Sequence, residues 1–271
     1  MQENMKISGI ATKLLVWILL FSIGCATQQT IENSLSVNEL YTRGEKAFKK
    51  KKYRDAVEAF KKIKIEFPES STLSNVRLKI GESYYLDKKY DEAIAEYKEF
   101  LDYHPAHGSK DLARYRIGIS LYNQMLPYDV DQSKTEEAIK QFRDLLKVTP
   151  DSPYAPKSRE KIKKCTERIV RHEYYIGNFY YRIKEYRAAT RRLRGLLENY
   201  PDQKIEPMVI ILLAESYWEG EERERALKTY KELLSRYPKS SYARYAAFMI
   251  KQYGEEYGID IEVKKNISKE K

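Results

Sequence analysis

Few residues in this chain could do covalent or metal chemistry. The only histidines are His104, His107 and His172. His104 and His107 stand in "HPAH", a spacing that could set two imidazoles on one ion. Zinc sites take three or four protein ligands, often with cysteine, and neither cysteine, Cys25 or Cys165, lies near this pair in sequence. No phosphate-cradling G-x-x-x-x-G-K-[ST] loop, no G-x-G-x-x-G and no G-x-S-x-G elbow occurs. The chain therefore reads as a non-enzyme without a bound metal. The chemistry left is that of contact. "YRAATRRLRG" sets Arg187, Arg191 and Arg194 at helical spacing with Arg192 beside them. Guanidinium groups pair bidentately with carboxylates and are enriched at protein interfaces. Arg187, Arg191 and Arg192 are thus candidates for gripping a partner protein, against the plainer outcome of a solvated charged face.

Cys25 has a chemistry that its surroundings decide. Lys6 and Lys13 precede the apolar run Leu14 to Ile23. Such a run is too short to span a bilayer, which takes about 20 residues, and fits the core of a signal peptide. It ends in Ser22-Ile23-Gly24-Cys25, which resembles a bacterial lipobox, although a leucine is usual where Ser22 stands. The resemblance implies cleavage after residue 24 and a lipid on the Cys25 sulfur. Residues 1–24 are then a signal peptide and 25–36 a polar tether. Each methylene buried in the bilayer adds about 0.8 kcal/mol of anchoring. Ala26, in place of an aspartate, fits sorting to the outer membrane in lipoproteins of this kind. A lipidated Cys25 leaves Cys165 without a disulfide partner, and an inert thiol on a helix is expected there. No cofactor is expected beyond that covalent lipid. The net charge is +10, from 50 basic and 40 acidic residues. These are interleaved at helical spacing, as on solvated faces, and the export signal argues against nucleic acid as a partner.

The elements that must position these residues follow from a repeat. "YRDAVEAFKKIKIEFP", "YDEAIAEYKEFLDYHP", "TEEAIKQFRDLLKVTP", "YRAATRRLRGLLENYP" and "RERALKTYKELLSRYP" each run twelve positions from an alanine to a proline. The alanines are Ala56, Ala93, Ala138, Ala189 and Ala226. Four residues on stand Phe60, Tyr97, Phe142, Leu193 and Tyr230, and seven on stand Ile63, Phe100, Leu145, Leu196 and Leu233. That is one face of an α-helix. Upstream lie Gly44, Gly81, Gly118, Gly177 and Ala214, small residues that let a second helix cross closely while the bulky ring fills the groove. The pattern resembles the tetratricopeptide repeat. It predicts an all-α solenoid of five helical hairpins. The small residues step by 37, 37, 59 and 37. Of the 22 extra residues, eight fall in "NQMLPYDVDQSKT" of the third repeat and fourteen after Pro150. The fourteen predict a first helix elongated by about four turns at 3.6 residues per turn, between repeats three and four. The expected organisation is an N-terminal lobe at 37–150, a C-terminal lobe at 151–256 closed by the helix "SYARYAAFMIKQYG", and a tail at 257–271.

In such a stack the first helices line the concave side. Positions −6, −3, +1 and +4 from the small residue should face inward. In the first three repeats this picks out Tyr41, Phe48, Leu78, Tyr85, Tyr115 and Tyr122 as a groove for an extended peptide with aromatic side chains, with Ile119 also facing in. Rings packed on neighbouring helices, and so not free, are the plainer alternative.

The lipobox, five repeats, a long middle helix and "PDSPYAPKSREKIKKCTERIVRHEYYIGNFYYRIKEYRAATRRLRGLLENYPD" together resemble the BamD family, also called YfiO or ComL. These are outer-membrane lipoproteins of the β-barrel assembly machinery. The resemblance is most specific from Tyr115 to Asp202. It implies anchoring in the inner, periplasmic leaflet of the outer membrane. It also implies that C-terminal repeats dock on a POTRA domain of BamA, beside other Bam lipoproteins. N-terminal repeats would receive the C-terminal signal of unfolded β-barrel proteins. Arg192 matches the arginine that meets BamA in that family. The competing expectation is another periplasmic repeat lipoprotein, a pilotin for secretin or pilus assembly or a coordinator of cell-wall synthesis.

Overall fold

Every alanine-to-proline stretch is a helix in the computed structural model, which describes residues 35–258. The signal peptide, Cys25 with its lipid, most of the tether and most of the tail lie outside the described residues. In chain order, α1 (Val37–Lys49) pairs with α2 (Tyr53–Glu66), α3 (Leu73–Leu86) with α4 (Tyr90–Tyr103), and α5 (Lys110–Asn123) with α6 (Ser133–Val148). Then α7 (Ala155–Arg182) pairs with α8 (Tyr186–Asn199), and α9 (Glu206–Glu219) with α10 (Arg223–Arg236). α11 (Ala243–Tyr253) and a short 3₁₀ turn (Glu255–Tyr257) follow. Each helix packs on the next, and the described residues hold eleven α-helices and no strand.

The small residues are where paired helices nearly touch. A methyl group on Gly44 would lie 2.6 Å from the Phe60 ring, and on Gly118 it would lie 2.6 Å from Phe142. Gly81 faces Tyr97 at 2.9 Å and Gly177 faces Leu193 at 2.6 Å by the same measure. Side chains need more room than that, so glycine is required by the approach and not by a turn. Ala214, the fifth of the set, is fully buried, as are Ala56, Phe60, Ile63, Ala93, Phe100, Ala138, Phe142 and Leu145. Burying one such ring stabilises the fold by roughly 2–3 kcal/mol.

The connections keep two lengths. Six residues join each hairpin to the next, and three join the helices within a hairpin, except in the third. In the short turns the seventh residue past the small one takes a left-handed backbone: Lys51 (φ 58°), Lys88 (61°), Lys184 (67°) and Glu221 (65°). Those residues close helix ends as glycine usually does. α1 opens on a capping box, in which the Ser36 N–H donates to Glu39 Oε2 at 2.8 Å and the Glu39 N–H donates to Ser36 Oγ at 3.3 Å.

α7 has 28 residues against 14 in the first helices α3, α5 and α9, as the repeat spacing predicts. The eight extra residues of the third hairpin divide into six in its loop, 124–132, and two in α6. α7 spans two apolar clusters. Its Ile162, Cys165 and Ile169 pack with α5 and α6, whereas Val170, Tyr174 and Tyr181 pack with α8, α9 and α10. The loop folds back on α7. The Arg168 guanidinium donates to the Leu126 carbonyl, and His172 Nδ1 lies 2.6 Å from the Tyr128 carbonyl. Gln132 Nε2 donates to the Pro127 and Val130 carbonyls at 2.7 and 3.0 Å, which holds the loop in one shape. The two departures from the repeat period are therefore neighbours in space.

Candidate functional site

All six residues predicted for the groove are half-buried, and they share the first-helix face. Three of them, Phe48, Tyr85 and Tyr122, have a cation from the next first helix over the ring. Lys79 Nζ stands 4.9 Å from the Phe48 ring centre and pairs with Glu45 at 2.6 Å. One hairpin later, Arg116 lies 4.6 Å over Tyr85 and pairs with Glu82 at 2.6 Å. One further on, Lys161 Nζ lies 4.0 Å over Tyr122. A cation over an aromatic face gains about 0.5–2 kcal/mol, more where water is excluded. Lys79 and Arg116 precede their small residues by two positions, and Lys161 takes the same register once the fourteen added residues of α7 are allowed for.

The remaining groove residues are tied into the same face. The Tyr97 hydroxyl donates to Glu82 at 2.9 Å, and burial pushes that phenol's pKa far up. Asn123 Nδ2 donates to the Tyr85 oxygen at 3.3 Å. Tyr115 stacks on Tyr154 with ring centres 5.0 Å apart, and Tyr41 meets Phe60 edge-on at 5.6 Å. Leu78 packs against the cluster of α4 to α7. Ile119 corrects the inward-facing set, because it is only 7% exposed and belongs to the core. The solvent side of this face carries the half-buried rings, the exposed Asn75 and Asn123, and cationic groups. Lys161 makes no ion pair among the described residues, so its ammonium is the one best placed to accept a carboxylate.

The arginine candidates lie on α8. Arg191 and Arg192 line a depression of about 440 Å³ between α7 and α8, together with Glu173, Tyr180, Asn199 and Tyr200. Arg192 Nη1 is 3.0 Å from Glu173 Oε2, and the two side chains are 42% and 22% exposed. A pair this exposed adds little stability, so its guanidinium can exchange partners at small cost. Arg187 lies one turn earlier on α8, is exposed, and does not line the depression. Arg194 pairs with Glu198 along the helix at 3.5 Å. Sequence reasoning missed Glu173 and Tyr180, which come from the preceding helix. Their spacing of seven on one helix face was the available signal.

The other chemically capable residues are structural here. His104 and His107 pack on Phe100 with ring centres 5.5 and 5.2 Å away, and His107 Nδ1 accepts the Ser109 N–H at 3.0 Å. Burial, with nearby Arg77, holds His104 below the ordinary histidine pKa. Cys165 is fully buried, with Sγ 3.5 Å from Met125 Sδ, and burial pushes its thiol up to about 11. No described helix is long and apolar enough to cross a membrane.

A family model described as "YfiO: Outer membrane lipoprotein" matches residues 33–222, and a tetratricopeptide-repeat model matches 209–240. An outer membrane protein assembly factor BamD of Rickettsia prowazekii is 29% identical over 250 residues, covering 92% of this chain and 99% of the relative. The protein of that name from Haemophilus influenzae is 26% identical over 222 residues, covering 78% and 84%.

Proposed function

The chain belongs to the YfiO family of outer membrane lipoproteins, and on that premise we propose that it is a non-enzymatic scaffold for assembling β-barrel proteins into the outer membrane. The family match carries this reading, and relatives that span nearly its whole length are named for that role. The chain is anchored by a lipid on Cys25 in the periplasmic leaflet and works beside other Bam lipoproteins. Its first three hairpins receive the C-terminal signal of an unfolded barrel protein. Its later hairpins hold BamA.

The physical support is complementarity. A barrel's terminal strand carries alternating aromatic side chains and ends in a carboxylate. The groove residues Tyr41, Phe48, Leu78, Tyr85, Tyr115 and Tyr122 offer ring edges at intervals set by hairpin stacking. The ammonium of Lys161 offers a partner to the carboxylate. Charge complementarity of this kind raises the association rate and fixes register more than it raises affinity. On the other side of α7, Arg191 and Arg192 present a basic depression. An acidic group of a POTRA domain could take the place of Glu173 against Arg192, with Arg187 at the rim.

Two measurements test the halves separately. A peptide copying a barrel C-terminus should lose about tenfold or more in affinity for Tyr85→Ala/Tyr122→Ala, the loss of roughly 1.4 kcal/mol or more; unchanged binding removes the groove assignment. Arg192→Glu should abolish capture of the BamA POTRA domains. Capture at full yield removes the depression from the account.

A further inference from the structure

The flank of α7 that faces away from Glu173 carries an exposed stripe that regular stacking would have covered. Two residues past the small residue, α3, α5 and α9 place Ser83, Ser120 and Ser216, all completely buried, while α1, with no described helix before it, places the exposed Lys46. In the early half of α7 the same register falls on Cys165, also completely buried. In its late half the register falls on Phe179, which is 43% exposed. Tyr175 and Ile183, one turn to either side, are 38% and 50% exposed. The cause is the length of α7. Its early half stacks against α5, and its late half has no first helix on that side. The loop 124–132 covers only the near end, where Tyr128 meets Tyr175 edge-on at 6.0 Å, and it adds exposed Leu126 and Val130.

The stripe is basic. Arg171 and Arg182 bracket Tyr175 and Phe179 and are exposed. Neither forms an ion pair with another described residue. Where the loop meets α7 there is a recess of about 530 Å³ whose charged lining is Lys164, Arg168 and Arg171 against Glu167.

We infer that this step between the stacked halves is a third protein-docking site, which takes a chain segment with apolar side chains flanked by carboxylates. The apolar stripe supplies the area and the arginines supply the sign. A recess enclosed by a tied-down loop admits a chain segment, whereas a flat bilayer surface would meet only its rim. A second copy of this chain is disfavoured by symmetry, since a two-fold contact centred on the stripe would set the arginines of one copy against those of the other. The recess adjoins the groove at Tyr122, which lines both, and shares no residue with the Arg192 depression.

The test uses the full-length chain and two labelled peptides with the same apolar residues, one flanked by glutamates and one by lysines. The glutamate peptide should bind about tenfold more tightly than the lysine peptide. Tyr175→Ser/Phe179→Ser and, separately, Arg171→Glu should each weaken it by a similar factor while Arg192→Glu leaves it unchanged. Arg171→Glu alters only an exposed side chain, so it keeps the test open should the double variant lose helicity. Equal binding of the two peptides, or glutamate-peptide binding that survives both stripe variants, overturns the inference. So does flotation of a Cys25→Ser protein with phosphatidylglycerol vesicles that the double variant abolishes, which would assign the stripe to lipid. A sedimenting dimer that the same variant dissolves would assign it to a second copy and overturn the inference too.

Discussion

Single residues in this chain do their work by size or by burial. Gly118 shows the first. Alanine is the better helix former by about 1 kcal/mol, yet at Gly118 its methyl would press on Phe142, a fully buried ring. Gly118→Ala should therefore lower stability by about 1–3 kcal/mol, the usual range for overpacking, measured by urea unfolding; a gain would show that the crossing is looser than it looks. Cys165 shows the second. A thiol held near 11 by burial stays protonated and shielded at neutral pH, and the thiolate is the reactive form. In a Cys25→Ser protein, Cys165 should ignore a thiol reagent until denaturant is added, and prompt reaction in the native state would contradict its placement. The crossing residues were legible because alanine, ring and proline keep one local frame in the sequence. Lys79, Arg116 and Lys161 were not legible as ring partners, because what a cation caps is settled by the neighbouring hairpin. Glu173 escaped for the same reason: its partner Arg192 comes from the next helix.

At the scale of the element, helix lengths were readable and turns were not. The 59-residue step announced a long α7, since added helix keeps its periodicity. The left-handed turn residues are lysines and a glutamate, which carry no turn signal. Placing a side chain in that conformation costs about 1–2 kcal/mol, so Lys88→Gly should raise stability by about 0.5–1 kcal/mol after glycine's own entropy cost is counted. Thermal melting checks this, and a loss would mean that the lysine side chain stabilises the turn. In α9, burial and then the nearby Glu219 raise the pKa of Glu215 above the ordinary 4.5. The unfolded chain then loses this proton at lower pH than the folded one, so Glu215 opposes folding increasingly as pH climbs above that value. Glu215→Gln should raise the melting temperature more near neutral pH than near 4.5, and a uniform shift at both would remove titration as the cause. The loop 124–132 looked like a polar excursion. That it lies on α7 was hidden, because its anchors are backbone carbonyls that any sequence supplies.

The whole molecule is a stack whose two irregularities, the longer loop and the longer helix, coincide. Stacked repeats are stabilised chiefly by their neighbours. Substitutions on the groove face and on α8 should therefore change binding without unfolding the chain. The central claim is that one solenoid holds a barrel signal and BamA at once, through different hairpins. The most direct measurement is the stoichiometry, by analytical ultracentrifugation, of the full-length chain mixed with a barrel C-terminal peptide and the POTRA domains. The account predicts one of each in a single complex, with Tyr85→Ala/Tyr122→Ala losing only the peptide and Arg192→Glu losing only the POTRA domains. Mutual displacement of the two ligands, or either variant losing both, would contradict it.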